Sequence, residues 1–174
     1  MKPGMRSDLY AELFKQYQSS LYLYLYRMCG SQEIAEELVQ ETFYRAMVSM
    51  KTKHADYARA WLYKVARHLF IDWYRKHRGE LEMNRELEKQ CIENTYRSPE
   101  EVLIANEQMK LIEKVIKKLP EQYRTVLLLR EMNELSYKEL CEILDMTMSQ
   151  VKVSLFRAKA RFRKEMLQIK GENE

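Results

Sequence analysis

The residues best suited to chemistry lie near the C-terminal end, between Ser149 and Gln168. On a helical wheel of about 100° per residue, Val151, Leu155, Ala158, Phe162 and Met166 fall in one inward-packing arc. The opposite arc carries Ser149, Gln150, Val153, Arg157 and Lys164, flanked by Lys152, Lys159, Arg161 and Arg163. This division suits a helix that lies in the major groove of duplex DNA. Gln150 can pair with adenine, Arg157 with guanine or phosphate, and Val153 can touch a thymine methyl. The flanking cations neutralise phosphates, which adds affinity without sequence information. A solvated basic helix closing a bundle is the plainer alternative, and an outward Val153 speaks against it.

A second constellation lies between residues 57 and 75, where Tyr57, Trp61, Tyr63, Trp73 and Tyr74 mingle with Arg59, Lys64, Arg67 and Arg75. Rings beside cations suit unpaired nucleic acid, because bases stack on the rings and phosphates follow the charge. Periodicity assigns Trp61 and Trp73 to the core. Tyr57, Tyr63, Arg67 and the loop 51–56 are left as exposed contacts.

Other chemistries have little support. There is no glycine-rich phosphate loop, no His-Glu-x-x-His and no nucleophile arrangement, so neither a catalytic residue nor a cofactor is expected. Cys29, Cys91 and Cys141 are odd in number, far apart and without CxxC spacing, which disfavours a disulfide framework or a metal site. Cys29 and Cys141 sit in apolar stretches, while Cys91 lies in a polar one. The first residues, Met1 to Asp8, carry no long apolar run behind them, and no stretch of about 18 apolar residues occurs. The chain is expected in a reducing cytoplasm, not in a membrane.

Charge is compatible with a polyanion partner. The net formal charge of +4 hides a pattern. Residues 61–79 hold five basic and one acidic residue, 80–115 five and nine, and 146–170 seven and one. Two basic blocks separated by an acidic one suggest two surfaces for a polyanion and a solvated middle, and charge alone is equally compatible with ordinary solvated helix faces.

The elements that must position these residues read as helices. The 174 residues include only four Gly and three Pro, so helices joined by short connections are expected. Ser7 and Asp8 can cap a first helix carrying Leu9, Leu13, Tyr17, Leu21, Tyr24, Leu25 and Met28, which Gly30 ends. Within it, Leu21–Tyr26 reads LYLYLY, a strand-like alternation. The helical flanks and the lack of turn residues favour a helix buried on several sides. Ser31 caps a second helix with Ala35, Leu38, Val39, Phe43, Ala46, Met47 and Met50 as its apolar stripe. A third, with Ala58, Trp61, Leu62, Val65, Leu69 and Trp73 inward, stops near Gly79. Residues 80–97 read as a mobile linker with room for a helical turn. Ser98-Pro99-Glu100-Glu101 is a capping box opening a helix with Val102, Leu103, Met109, Leu111, Ile112, Val115 and Ile116. Leu119-Pro120 ends it and opens another through about Met132. Two further capping boxes, Ser136–Glu139 and Thr147–Gln150, lie eleven residues apart around the short connection Asp145-Met146, the mark of a helix-turn-helix. The reading is all-α: two small helical domains joined by a flexible linker, residues 1–79, 80–98 and 99–174, with the helix-turn-helix in the second.

Here the motifs resemble a known family. Ala35-Glu36-Glu37-Leu38-Val39-Gln40-Glu41-Thr42-Phe43 is similar to region 2.2 of bacterial sigma factors. Ala60-Trp61-Leu62-Tyr63-Lys64-Val65-Ala66-Arg67 and Ile71-Asp72 are similar to regions 2.3–2.4. Leu119-Pro120-Glu121-Gln122-Tyr123-Arg124 through Arg163 resembles region 4. Their order and length resemble the extracytoplasmic-function (ECF) class. The resemblance implies docking of the second helix on core RNA polymerase through Glu36, Glu37, Leu38, Gln40, Glu41 and Phe43. It implies minus-ten promoter capture and melting by Lys51, Lys53, His54, Asp56, Tyr57, Arg59, Tyr63, Arg67 and Arg75. It implies minus-thirty-five recognition by Ser149, Gln150, Lys152, Val153, Ser154, Arg157, Lys159 and Arg161. It also implies an anti-sigma factor, often membrane-anchored, that holds the protein inactive. Departures from the family pattern are His68 for the usual Asn, Asp145 for the usual turn Gly, Ser149-Gln150 for Gly-Thr, and Val153-Ser154 for Ser-Arg. A plain operator-binding regulator would leave the second and third helices without a role, and a protein-only adaptor would leave the basic C-terminal block unexplained.

Overall fold

A computed structural model describes residues 3–49, 57–88 and 107–171. The described residues form seven α-helices and no strand: α1 (Pro3–Cys29), α2 (Gln32–Ser49), α3 (Ala58–Glu88), α4 (Glu107–Lys118), α5 (Glu121–Leu127), α6 (Tyr137–Leu144) and α7 (Met148–Gly171). A π-helical turn, Leu128–Met132, continues α5. Lys51, Lys53, His54, Asp56, Cys91 and the Ser98–Glu101 box lie outside the described residues.

The LYLYLY run is helical, and its burial follows period 3.6. Leu21, Tyr24, Leu25 and Met28 are buried, while Leu23 is exposed. Helix α1 starts at Pro3, so Ser7 and Asp8 lie inside the helix rather than at its cap. Proline suits a helix start, where its missing N–H is no loss. Gly30 closes α1 at φ 75°, its N–H donating to Tyr26 O at 2.7 Å, a left-handed cap that glycine adopts without strain. Ser31 caps α2 through Ile34 N–H at 3.4 Å.

Helix α3 does not stop at Gly79 but runs on to Glu88. A glycine inside a helix costs only about 1 kcal/mol, and the following Glu80-Leu81-Glu82-Met83 are strong helix formers that offset it. The expected linker therefore begins inside a helix.

Helices α1, α2 and α3 pack on one another, as do α4, α5, α6 and α7. The two groups are not separate. One buried apolar cluster runs from Leu13, Leu21 and Phe43 through Leu62 and Phe70 to Leu129, Leu140, Leu155 and Ala158. Helix α6 lies against α3, and α1 meets α4 and α5. No helix among the described residues is long and apolar enough to cross a membrane.

The buried Arg124 ties this junction. Its guanidinium donates to Ile116 O at 3.1 Å, Lys117 O at 2.8 Å and Leu119 O at 3.1 Å, and also to Met28 O at 2.9 Å. These carbonyls end α4 and α1, where intrahelical partners run out and a cation meets the negative end of the helix dipole. Beside it, Thr125 Oγ1 donates to Glu121 Oε1 at 2.8 Å and lies 3.8 Å from Met28 Sδ.

Candidate nucleic-acid interface

The helix-turn-helix forms as its caps predict. Ser136 Oγ accepts from Glu139 N–H at 3.2 Å while Glu139 Oε2 accepts from Ser136 N–H at 2.8 Å. Helix α6 ends on Asp145 in the left-handed region, φ 52°, and Met146 N–H returns to Cys141 O at 3.1 Å. The second box opens α7: Gln150 N–H donates to Thr147 Oγ1 at 3.3 Å and Thr147 N–H to Gln150 Oε1 at 2.8 Å.

Helix α7 divides as the wheel predicts. Val151, Leu155 and Ala158 are buried against α5 and α6, while Ser149, Gln150, Lys152, Val153, Arg157, Lys159 and Arg161 are exposed and Ser154 is half-buried. Two of the flanking cations are already paired: Lys159 Nζ lies 2.8 Å from Glu131 Oε1, and Arg161 Nη2 lies 2.9 Å from Glu165 Oε1. The sequence reading missed Phe156. It is 73% exposed and falls one turn beyond Lys152 and Val153 on the same face. A large apolar ring on a polar surface is the informative exception, and its angle on the wheel was available from the sequence.

The capping bond changes what Gln150 can do. A bidentate pair with adenine needs both the oxygen and the nitrogen of the side-chain amide, and the oxygen is occupied by Thr147. Gln150→Glu keeps the capping oxygen and removes the donor. We expect it to shift the preferred upstream DNA element without loss of stability. Gln150→Ala should shift the element and also lose about 1 kcal/mol. Selection from a DNA fragment pool and urea midpoints measure the two effects, and an unaltered preference in Gln150→Glu removes Gln150 from base reading.

The α3 constellation is less exposed than the sequence suggests. Tyr57 is 54% exposed, and Arg75 is also exposed. Tyr63, expected as an exposed contact, is buried at 2%. Its ring meets Tyr24 edge-on at 5.7 Å, and its hydroxyl accepts from Asn133 Nδ2 at 2.9 Å. Burial pushes its phenol up. Tyr63 is thus part of the contact between α3 and the second helix group. Trp61 and Trp73 pack against the core while half-exposed, and Trp73 stacks on His77 at 5.2 Å.

Arg59 and Lys64 meet carboxylates from the helix-turn-helix. Arg59 Nε and Nη2 donate to Glu139 Oε1 and Oε2 at 2.7 and 2.6 Å. This fork holds the Glu139 carboxyl well below the usual range, at about 2. Lys64 Nζ donates to Asp145 Oδ1 at 2.6 Å and holds that carboxyl down as well. Arg67 is half-buried, its Nε without a hydrogen-bond partner.

On α2, Glu36, Glu37 and Gln40 are exposed, Glu41 is half-exposed, and Glu41 pairs with Arg45 at 2.8 Å. Tyr44 and Val48 extend this surface, at 57% and 58% exposure. Leu38 and Phe43, expected in the same contact, are buried at 8% and 1%. Phe43 packs on Phe14 at 4.9 Å. These two hold α2 in place and do not reach an outside partner.

Comparison with known proteins agrees with this geometry. Residues 13–80 match the family model of sigma-70 region 2, and residues 109–162 that of sigma-70 region 4. The chain is 34% identical over 170 residues to the RNA polymerase sigma factor YlaC of Bacillus subtilis strain 168, covering 95% of this chain and 96% of that protein. It is 32% identical over 152 residues to the ECF RNA polymerase sigma factor SigM of the same organism, covering 87% and 91%. Its fold is similar to that of CnrH in complex with the cytosolic domain of CnrY, with a TM-score of 0.65, 18% identity and 89% and 85% coverage. It is also similar to that of the sigma factor RpoE from Bartonella quintana in complex with the anti-sigma factor NepR, with a TM-score of 0.63, 19% identity and 91% and 96% coverage. With two region models matched in order and relatives above 30% identity along nearly their whole length, the chain belongs to the ECF sigma factors of the sigma-70 family, the DNA-binding factors of transcription initiation.

Proposed function

We propose that the chain works in the cytoplasm as a dissociable promoter-specificity subunit without catalytic activity of its own. Residues 1–79 bind core RNA polymerase and capture the minus-ten element, residues 80–98 connect, and residues 99–174 read the minus-thirty-five element. The observation that carries this reading is the pairing, in one chain, of an exposed acidic face on α2 with an exposed polar and basic face on the second helix of the helix-turn-helix, α7. A plain operator-binding protein has a use only for the second.

In this reading Glu36, Glu37, Gln40 and Glu41 dock on a basic surface of the polymerase. Ser149, Gln150, Val153 and Arg157 meet base edges, while Lys152 and its neighbours meet phosphates. Tyr57, Arg59, Arg67, Arg75 and the loop 51–56 take up the unpaired minus-ten strand. Each DNA contact is weak alone, and docking makes the second effectively intramolecular. Opening draws on capture of unstacked bases. An anti-sigma factor, membrane-anchored in this proposal, covers these surfaces until a signal releases it.

Run-off transcription with bacterial core polymerase and a promoter-fragment library tests the reading. The expected result is stable polymerase binding and new fragment-specific transcripts. Tight, salt-dependent binding to duplex DNA without any polymerase binding would instead assign the chain to operator-binding regulators.

A further inference from the structure

Arg59 is among the residues proposed to receive the minus-ten strand and Lys64 follows it along the same basic helix, yet both are already occupied. Arg59 and Lys64 are five residues apart on α3, a rise of about 7.5 Å. Their partners stand at opposite ends of α6, Glu139 in its first turn and Asp145 at its C-cap, so the two ion pairs hold both ends of α6 to α3. Between them Asn133 donates to Tyr63 at 2.9 Å. Beyond the Lys64 hydrogen bond, the Arg67 charge also helps hold the Asp145 carboxyl below its usual range.

The Arg59 fork on Glu139 has the bidentate geometry with which arginine also grips phosphate. Asp145 carries a further sign of purpose. It stands at φ 52°, where L residues are strained and glycine is not. An acid at that turn gives up backbone ease and gains Lys64. The Arg59 pair, with side chains 36% and 21% exposed, is the better shielded of the two. The Lys64 pair is more open, at 35% and 63%. It adds register more than strength.

We propose that α6 acts as an intramolecular stand-in for the minus-ten strand: Glu139 and Asp145 occupy the places of strand phosphates on Arg59 and Lys64, so that the chain must open between α3 and α6 before it takes up single-stranded DNA. The proposal rests on the sigma-factor reading for the identity of that strand. It does not need a second protein to close the site. Because the latch is ionic, salt loosens it, whereas the apolar contacts around it are insensitive to salt.

The test uses the full chain carrying Glu139→Gln with Asp145→Gly. Glutamine keeps an oxygen for the Ser136 cap, and glycine relieves the strained turn, so thermal stability should hold or rise. Two readouts are taken at about 0.1 M salt: the radius of gyration by small-angle scattering, and affinity for a fluorescent single-stranded DNA of mixed sequence. The expected result is a larger radius and about tenfold tighter binding, with the gain absent in an Arg59→Ala/Lys64→Ala background. An unchanged radius and affinity overturn the proposal. So does an equal gain in the Arg59→Ala/Lys64→Ala background, since added net charge alone would then account for it. Polymerase pull-down of the unaltered chain separates the two readings. Failure there sinks the sigma-factor assignment while a strand-binding gain upholds the latch, and success there without that gain sinks the latch alone.

Discussion

Arg124→Ala is expected to lower the free energy of unfolding by about 3–5 kcal/mol, read from the urea midpoint at unchanged slope. The size follows from what is left behind. Three carbonyls, those of Lys117, Leu119 and Met28, lose the Arg124 donor inside a junction where Arg124 is only 8% exposed, while Ile116 O keeps Leu119 N–H at 3.1 Å. Each buried unsatisfied acceptor costs about 1–3 kcal/mol, and entry of water recovers part of the sum. Arg124→Lys keeps the charge but not the planar fork. One ammonium cannot serve the ends of both helices, so it should fall between the two, at roughly half the loss of alanine. A loss below about 1 kcal/mol for alanine would mean that the junction is held by its apolar contacts alone.

Charge reversal at Glu36→Lys with Glu37→Lys is expected to weaken binding to core polymerase by at least tenfold, or about 1.4 kcal/mol, while leaving the unfolding midpoint nearly unchanged. Both side chains are exposed, and Glu36 makes only a solvent-facing hydrogen bond with Gln32 at 3.0 Å. Phe43→Ala is the contrasting variant. It empties a buried site against Phe14 and Tyr10 and should lose about 3–5 kcal/mol of stability, with polymerase binding following only as far as the fold fails. Competition binding and denaturation on the same preparations separate the two classes. Unchanged binding in the double reversal contradicts the docking surface on α2.

Much of this architecture was legible in the sequence because helix signals are local. The two capping boxes around the short turn, the Gly30 stop and the apolar stripe of α7 each span a few residues, and each stands where the pattern put it. The misreadings have two causes. Gly79 reads as a stop on local propensity, but the helix formers after it carry α3 onward. Leu38, Phe43 and Tyr63 lie within motifs whose resemblance suggested contact, and a motif does not say which of its members face inward. The α3–α6 pairs join residues 80 and 81 apart, and Arg124 reaches back 96 residues to Met28. No periodicity registers such distances. Phe156 was different, since the wheel placed it outward and only the habit of reading outward faces as polar hid it.

The π-helical turn between α5 and the helix-turn-helix sets a phase. Across it Asn133 N–H reaches Leu128 O at 3.0 Å, five residues back, one more than an α-helical turn holds. A chain shorter by that one residue would carry everything after it through about 100° about the helix axis. Asn133 would leave Tyr63, and Glu139 would turn away from Arg59. A single extra residue thus sets the azimuth at which the helix-turn-helix faces the rest of the molecule.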